Sequence, residues 1–251
     1  MGPSRAENWL AKHVRLLEKC LVAHEILIDW WSEKESPSEA AQAYFRNTSK
    51  VRLAPGKRGL GDRYFVTEHI TTPFTVIVDD DKSFSCDLMH GLLLAAQRFP
   101  NKIITVKKNN RHVYLCKDTQ LLWYYRPERY RIEPDGAIGL TSAALVPTSL
   151  MKAYRTMIPP SVIALINREL NCEDMLFNWL AARLNPDNES SVFLSYSGGG
   201  IFDGRMGGKA LCKRKNSVQR RSACLNYIRA MFPYWPIPRV PSYHVVVEDK
   251  K

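Results

Sequence analysis

Hydrophobic runs long enough to cross a bilayer are missing from this sequence of 251 residues. A membrane-spanning helix needs about 20 predominantly apolar residues, and charged residues interrupt every window of that length. The first twenty residues alone carry six charged side chains, so they lack the continuous apolar segment of a secretory signal peptide. We therefore expect neither a membrane span nor a cleavable leader within these residues.

Several sequence motifs of common enzyme classes are also missing. The chain has no GxxxxGK[ST] P-loop, no GxGxxG dinucleotide-binding loop and no GxSxG elbow. No two cysteines form a CxxC pair, and the six histidines lack metal-ligand spacing. These absences disfavour a P-loop NTPase, a dinucleotide-dependent oxidoreductase, a serine hydrolase and a zinc site. The glycine-rich stretch Ser197–Gly208 is instead expected to be a mobile loop.

Cysteine is scarce for a chain of this length, with six residues in all. Spacing alone makes free buried thiols the default interpretation. Two N-glycosylation triplets occur, Asn47-Thr48-Ser49 and Asn188-Glu189-Ser190. Such triplets arise often by chance, so they point only weakly to a secretory compartment.

Positive charge is in excess, since 36 Lys and Arg against 25 Asp and Glu give a formal net charge of +11. The densest basic run lies in residues 209–221. It is compatible with a solvated face, with a phosphorylated ligand, with an anionic polymer and with nucleic acid. Aromatic and basic residues do not interleave as in RRM or OB-fold proteins, so we expect no nucleic-acid partner.

Strand-like and helix-like patterns alternate through the first hundred residues. This β-α-β-α-β order predicts an α/β fold with a mostly parallel sheet and helices on both faces. No interior linker is visible, so we expect a single domain over residues 1–251, with an irregular tail at 233–251 because prolines crowd its start. The expected elements are helices at 7–22, 39–45, 86–99, 151–157, 161–170, 172–184 and 218–232, and strands at 25–31, 74–78, 103–106, 112–123 and 137–146.

The triplet Asp79-Asp80-Asp81 follows the β-branched run at 74–78 directly. Three adjacent carboxylates repel one another unless a cation neutralises them, and hard divalent ions take oxygen ligands. α/β proteins also place ligands at the carboxyl ends of parallel strands. The triplet therefore favours a metal–nucleotide site, although a solvated acidic turn gives the same pattern.

Three further groups of charged residues are each compatible with a structural role and with a binding or catalytic role. Glu173 and Asp174 stabilise the start of a predicted helix through its dipole, which is the ordinary role of acids there. Arg221 lies near the start of another predicted helix, where the dipole disfavours cations, and this favours an anion-binding role. Arg63 is either a surface charge or a phosphate or base contact.

Four segments resemble, in order, the exostosin-type C-terminal domain of glycosyltransferase family 64. The likeness runs from about Leu16 to about Tyr243, and ILIDWWSEKESPSE is similar to the plant and protist members. Each motif alone is modest, whereas four in register are specific. The segments are FTVIVDDDKSFSCDL, RFPNKIITV, LNCEDMLFNWLAARL and QRRSACLNYI.

The resemblance implies a GT-A fold, which is a Rossmann-like mixed sheet with helices on both faces. It also implies metal-dependent, retaining sugar transfer with Mn²⁺ or Mg²⁺ as cofactor. The expected donor is a UDP-sugar, with UDP-N-acetylhexosamine first and GDP-mannose second, and the acceptor is a glycan or glycolipid. The family's first strand, of the type IPTYxR, has no counterpart here, so a catalytically inactive glycan- or nucleotide-binding relative is the alternative.

The resemblance also carries roles over to the acidic triplet and to the arginines. Asp81 is expected to bind the metal, and Asp79 and Asp80 to contact the ribose or sugar. Arg221 matches the family arginine that contacts the diphosphate. Arg63 matches the arginine of an Asn-Arg pair in the nucleotide loop, whose asparagine is Asp62 in this sequence.

The remaining expectations concern the reacting centre and the cellular setting. In the family's Cys-[Glu/Asp]-Asp motif the second acid lies at the reacting centre, and here it is Asp174. Cys172 and Cys224 match a pair that forms a disulfide in the family. That bridge and the N-glycosylation triplets indicate the lumen of the Golgi or endoplasmic reticulum. Membrane association is expected only through an anchor upstream of this sequence, and a homodimer is left open.

Overall fold

The structure, a computed structural model, describes residues 13–30, 37–54, 59–79, 82–106, 110–125, 134–169, 171–196, 201–203, 216–239, 241 and 244–247. Its helices are α1 (residues 13–18), α2 (Glu39–Arg46), α3 (Cys86–Arg98), α4 (Thr148–Met157), α5 (Pro160–Glu169), α6 (Glu173–Leu184) and α7 (Ser217–Met231). Its strands are β1 (Ile26–Asp29), β2 (Val51–Ala54), β3 (Phe74–Val78), β4 (Lys82–Phe84), β5 (Ile103–Val106), β6 (Asn110–Leu115), β7 (Leu122–Tyr125), β8 (Gly136–Gly139), β9 (Ala143–Pro147), β10 (Ser191–Tyr196), β11 (Ile201–Asp203) and β12 (His244–Val247).

A five-stranded mixed sheet in the order β12-β10-β5-β9-β3 forms the centre of the fold. Strand β10 pairs in parallel with β12 and β5, whereas β9 runs antiparallel to both β5 and β3. The α/β class with a mixed sheet is therefore confirmed. The sheet is less parallel than the sequence predicts, because β9 lies antiparallel between β3 and β5. The order of elements along the chain does not show this insertion.

Strand β3 lies at one end of this sheet and differs from its expected environment. Its five residues are all half-buried, although the uninterrupted apolar run at 74–78 predicts a strand covered on both faces. Within the described residues it pairs only with β9, and the parallel pair β1–β2 forms a separate sheet. The apolar run therefore predicts the strand correctly, but the strand is less buried than the run predicts.

Two expected strands are each divided in the structure. The stretch 112–123 contains most of a hairpin of β6 and β7, and the stretch 137–146 spans β8, which joins that hairpin, and β9, which joins the central sheet. Strand β11 lies inside the glycine-rich stretch expected to be a mobile loop, and it pairs with β4. The rest of that stretch lies outside the described residues. The tail expected to be irregular contains β12.

Helix α6 is buried on nearly all of its faces. Its sequence predicts an amphipathic helix, yet Glu173 and every residue from Met175 to Ala182 are buried. The helix packs into the larger apolar cluster together with Tyr64, Tyr154 and Ile163. An apolar stripe wider than one helix face indicates burial all round.

Two disulfides connect distant parts of the chain. The Cys172–Cys224 bridge, implied by the family resemblance, is present with a Cα–Cα distance of 5.5 Å. A second bridge joins Cys20 to Cys86, so the free-thiol expectation was wrong for these two residues. Cys116 is a free thiol, and Cys212 lies outside the described residues. The missed pair are 66 residues apart in sequence, a separation that the tertiary fold alone closes.

None of the helices among the described residues is long and apolar enough to span a membrane.

Helix α6 offers a matched pair of leucines for testing how far the core stabilises the fold. Leu180 is fully buried, whereas Leu184 is 48% exposed. We expect Leu180→Ala to lower the free energy of unfolding by about 2–5 kcal/mol, because a buried cavity replaces the side chain. Leu184→Ala should change it by less than about 0.5 kcal/mol. Urea denaturation measures both, and equal losses would contradict the described burial.

Candidate active site

Arg63 gathers acidic side chains from two different parts of the fold. Its guanidinium donates a hydrogen bond of 2.6 Å to Asp79, which follows β3. It also lies 3.9 Å from the carboxyl group of Glu173 at the start of α6. Only 10% of the Arg63 side chain is exposed, so these contacts are largely shielded from water. The structure therefore brings the expected residues Arg63 and Asp79 together at the carboxyl end of β3.

The turn that presents Arg63 is a 3-10 helix, Leu60–Asp62, held from α5. Asn167 accepts a 2.7 Å hydrogen bond from the Gly61 N–H and donates one of 2.7 Å to Asp62. Asp62 accepts a further bond from the Gly59 N–H at 3.0 Å. A Cβ at Gly59 would lie 2.3 Å from Asn167, so only glycine allows this approach. Asp62, which replaces the family's asparagine, thus fixes the backbone ahead of Arg63.

Asp174, expected at the reacting centre, is held by a short chain of hydrogen bonds. Its Oδ1 accepts the Thr141 N–H at 2.9 Å and the Thr141 hydroxyl. The Tyr64 hydroxyl lies 2.9 Å from Thr141 Oγ1. Because the single hydroxyl proton of Thr141 is donated to Asp174, Tyr64 must be the donor in that contact. One carboxylate oxygen is thereby anchored through the fully buried side chains of Thr141 and Tyr64.

The helix that carries Asp174 is also anchored to the neighbouring strand β8. Asn178 accepts the Gly139 N–H at 3.0 Å and donates to the Gly139 carbonyl at 2.8 Å. Its Oδ1 accepts a third bond, from the Ser190 hydroxyl at 2.7 Å. Asn178 is fully buried, so every one of these bonds replaces a bond to water. Helix α6 therefore has a fixed position relative to β8.

Arg221 of α7 lies over Tyr124, whose hydroxyl is affected by the charges of both Arg221 and Asp174. Its guanidinium carbon lies 5.2 Å from the centre of the Tyr124 ring, in cation–π geometry. Ser222 accepts the Tyr124 N–H, which attaches α7 to β7. The Cys172–Cys224 bridge joins α7 to the residue that precedes α6. The disulfide therefore links the helices of Asp174 and Arg221, as the resemblance implies.

Burial and charge shift the pKa values of the groups around Arg63. Burial, together with the charge of Asp174, raises the pKa of Glu173 to about 8, and Arg63 only partly opposes this. Burial disfavours the charged form of Arg63, but Asp79 and the neighbouring acids outweigh it and raise its pKa. Burial also raises the pKa of Tyr64, so it keeps the proton that it donates to Thr141. Near neutral pH the site thus holds a protonated carboxyl beside charged groups.

The metal site expected at the acidic triplet is only partly within the described residues. Asp79 is described, whereas Asp80 and the expected ligand Asp81 are not. Within the described part of the chain, no three His, Cys, Asp or Glu side chains are grouped so that they could hold a metal. The carboxylates of the triplet have the oxygen chemistry that Mg²⁺ and Mn²⁺ prefer. Asp81 as the metal ligand remains a prediction.

The sequence matches one family model over most of its length. Residues 2–243 match the model described as "Glycosyl transferase family 64 domain". The chain belongs to glycosyltransferase family 64. The family resemblance drawn from the four motifs is therefore confirmed.

Curated relatives agree with membership of family 64. Glycosylinositol phosphorylceramide mannosyl transferase 1 of Arabidopsis thaliana is 20% identical over 227 residues, which cover 82% of this chain and 64% of that protein. Exostosin-1 of Drosophila melanogaster is 20% identical over 259 residues, which cover 95% of this chain and 32% of that protein. The chain thus spans less than two thirds of either relative.

A solved structure shows the fold of the family 64 chain. The Staphylococcus aureus TarS 1-349 structure, in complex with UDP-GlcNAc, is similar with a TM-score of 0.56 and 13% identity. The match covers 93% of this chain and 65% of the TarS chain. At that identity the likeness concerns the fold alone, and the fold is of the GT-A type, as expected.

Several residues of the site were missed by sequence reasoning. Glu173 was interpreted as a helix-capping acid, yet it is buried against Arg63. Thr141 and Tyr64 belong to no sequence motif, so nothing in the sequence alone indicates their role. Asn167 lies in α5, more than a hundred residues from the turn that it holds. Only the position of Glu173 beside Asp174 was a usable signal.

Glu173 makes the stability of this protein depend on pH in a defined direction. A carboxyl group with a raised pKa binds its proton more tightly in the folded state, so the free energy of unfolding falls as pH rises from about 4.5 to about 8. The slope contributed by one group is at most about 1.4 kcal/mol per pH unit. Glu173→Gln should remove this loss, as measured by denaturation across that range.

The control for this experiment is Glu169→Gln, because Glu169 lies on the surface with its pKa lowered by Arg168 and Arg220. This variant should retain the loss of stability towards pH 8. A Glu173→Gln protein whose stability falls with pH as steeply as the parent protein would contradict the proposed protonation of Glu173.

Thr141 allows the hydrogen-bond chain to Asp174 to be tested with nearly isosteric variants. Thr141→Val removes the hydroxyl and leaves the Tyr64 proton and one lone pair of Asp174 without their partner. We expect a loss of about 1–3 kcal/mol in the free energy of unfolding, the cost of unsatisfied buried polar groups. Thr141→Ser keeps the hydroxyl and should lose less than Thr141→Val. A valine variant as stable as the serine variant would exclude the chain.

Proposed function

We propose that this protein is a metal-dependent, retaining glycosyltransferase that moves a sugar from a nucleoside diphosphate sugar to a glycan or glycolipid. The main support for the proposal is that Arg63, Asp79 and Asp174 lie near one another at the end of β3. The chain also belongs to glycosyltransferase family 64. Arg221 lies over Tyr124, and both Arg221 and Asp174 act electrostatically on the Tyr124 hydroxyl. Such a group of fixed charges suits a reaction in which charge separates between a sugar and a departing diphosphate.

The leaving diphosphate needs positive charge close to its oxygens. Arg221 supplies a guanidinium whose fork geometry matches phosphate oxygens. A divalent ion held by Asp81 would supply the remaining positive charge as a Lewis acid. The aromatic ring of Tyr124 and the bridge to Cys172 limit the movement of Arg221, so little reorganisation is needed when the charge develops.

The sugar carbon becomes cationic as the diphosphate leaves, and a carboxylate opposite it stabilises that charge. Asp174 is suited to this role because Thr141 holds one of its oxygens in place. Arg63 keeps Asp79 oriented at the end of β3, towards the expected ribose or sugar contact. Retention follows either from attack by a carboxylate and then by the acceptor, or from attack by the acceptor on the same face.

The donor that we propose first is UDP-N-acetylhexosamine, and GDP-mannose is second. TarS, which shares the fold, was solved in complex with UDP-GlcNAc, whereas the plant relative is named a mannosyl transferase that acts on a glycosylinositol phosphorylceramide. That name also supports a glycolipid as one class of acceptor. The two disulfides support a location in the lumen of the Golgi or endoplasmic reticulum, since such bridges persist in oxidising compartments.

Two adjacent arginines provide a matched test of donor turnover. Arg220 is exposed and pairs with Glu169 at 3.3 Å, whereas Arg221 lies over Tyr124. We expect Arg221→Ala to lower kcat by about 100- to 1000-fold, the usual cost of removing one group that stabilises developing charge. Arg220→Ala should change kcat by less than about twofold. Turnover of UDP-GlcNAc and of GDP-mannose with Mn²⁺ measures both.

Two further arms of this experiment separate the proposal from its alternative. Turnover should disappear with EDTA and return with Mn²⁺, and Asp174→Asn should abolish it while UDP still binds. Turnover that persists without metal, or equal effects of the two arginine variants, would overturn the proposed mechanism. Binding of UDP with Mn²⁺ in calorimetry, without turnover of any donor, would instead identify an inactive nucleotide-binding relative.

A further inference from the structure

The two N-glycosylation triplets lie in opposite environments in the folded protein. The first, Asn47-Thr48-Ser49, follows the last residue of α2, where both Asn47 and Ser49 are exposed. The second, Asn188-Glu189-Ser190, precedes β10, where Glu189 and Ser190 are buried and Asn188 is half-buried. A sequence pattern cannot distinguish these two sites, whereas their surroundings in the structure can.

The backbone hydrogen bonds around Asn47 are made within the turn, and its side chain is exposed. The Asn47 N–H is bonded to the carbonyls of Ala43 and Tyr44, both at 3.1 Å, so it ends α2. The Thr48 hydroxyl donates to the Phe45 carbonyl at 3.1 Å and tightens the same turn. The backbone thus satisfies its own hydrogen bonds, and the exposed Asn47 side chain has room for a bulky, solvated sugar.

The turn also lies beside one of the two disulfides. Lys50 donates bonds of 3.2 Å from its ammonium group to the carbonyls of Glu18 and Cys20, and Cys20 forms the bridge to Cys86. A disulfide and an exposed N-glycosylation triplet are features of the same oxidising compartment. Lys50 connects the two features here, and the apolar cluster that contains residues of α2 and β2 includes none of the site residues.

The triplet at Asn188 is built into the support of the candidate site instead. Asn188 has a left-handed backbone with φ of 58°, and its carbonyl accepts the Arg239 N–H at 2.9 Å. The fully buried Ser190 donates its hydroxyl proton to Asn178, the residue that clamps α6 to β8. A glycan on Asn188 would have to fit beside these buried groups. The structure therefore disfavours modification at this position.

We infer that Asn47 carries an N-linked glycan and that Asn188 does not. The modification is an N-glycosidic bond between Asn47 Nδ2, which loses a proton, and the anomeric carbon at the reducing end of an oligosaccharide. The bond from that carbon to the diphosphate of a lipid-linked donor breaks, and the lipid diphosphate leaves. This inference goes beyond sugar transfer by the protein itself, and an inactive protein would carry the same glycan.

The test is expression of the full chain, directed into the lumen of a eukaryotic secretory host, followed by digestion with a peptide-N-glycosidase. We expect one discrete mobility shift on digestion, and conversion of residue 47 alone to aspartate in the peptide mass spectrum. Asn47→Gln and Ser49→Ala should both remove the shift, since the first removes the asparagine of the triplet and the second removes the hydroxyl of its third residue. Asn188→Gln should leave it unchanged.

Three results would overturn the inference: an unmodified Asn47 in the secreted chain, a glycan on Asn188, or a shift that survives Asn47→Gln. Because Asn47 and Ser49 are exposed, failure to fold is not expected for Asn47→Gln, Ser49→Ala or Ser49→Thr. Ser49→Thr keeps a hydroxyl at the third position of the triplet and should keep its glycan. Donor turnover need not change in any of these variants, so the outcome is independent of the proposed enzyme activity.

Discussion

The ion pair between Arg63 and Asp79 is the contact on which the arrangement of the candidate site depends. Asp79 follows β3 of the central sheet and Arg63 follows a short 3-10 turn, so the contact joins two segments that are 16 residues apart in sequence. Glu173 brings the start of a buried helix to the same guanidinium. Arg63 thus connects the central sheet, the 3-10 turn and α6. Because Arg63 is buried, the neighbouring acids strongly affect its pKa.

The supporting structure around this contact is made of neutral polar side chains and one covalent bond. Asn178 secures α6 to β8, Thr141 secures Asp174, and Asn167 secures the turn before Arg63. The Cys172–Cys224 bridge brings in α7. Buried hydrogen-bonded networks of this kind keep charged side chains in one geometry, because each alternative geometry leaves a buried polar atom without its partner.

This arrangement has a chemical consequence for the proposed sugar transfer. The site already contains acids, so a metal there would lower the mutual repulsion of the carboxylates and at the same time attract a diphosphate. A protonated Glu173 further lowers the negative charge beside Asp174 without removing a hydrogen-bonding group. Substrate binding and site stability are therefore expected to depend on the same few charges, which is common where catalytic groups have shifted pKa values.

Several features followed from the sequence by itself. The run at 74–78 was correctly identified as a strand, and the helix before Leu184 was located because apolar spacing and helix-stop signals are local. The motif QRRSACLNYI and its three companions indicated family 64, and with it the GT-A fold and the Cys172–Cys224 bridge. Arg63, Asp79, Asp174 and Arg221 were singled out on the same basis.

Only the tertiary structure decided what surrounds those residues. The insertion of β9 beside β3, the Cys20–Cys86 bridge and the contact of Asn167 with Gly61 each join segments far apart in sequence. The burial of Glu173, and with it the raised pKa, depends on atoms from several elements at once. Periodicity and spacing describe neighbours along the chain, whereas burial and electrostatic coupling are properties of neighbours in space.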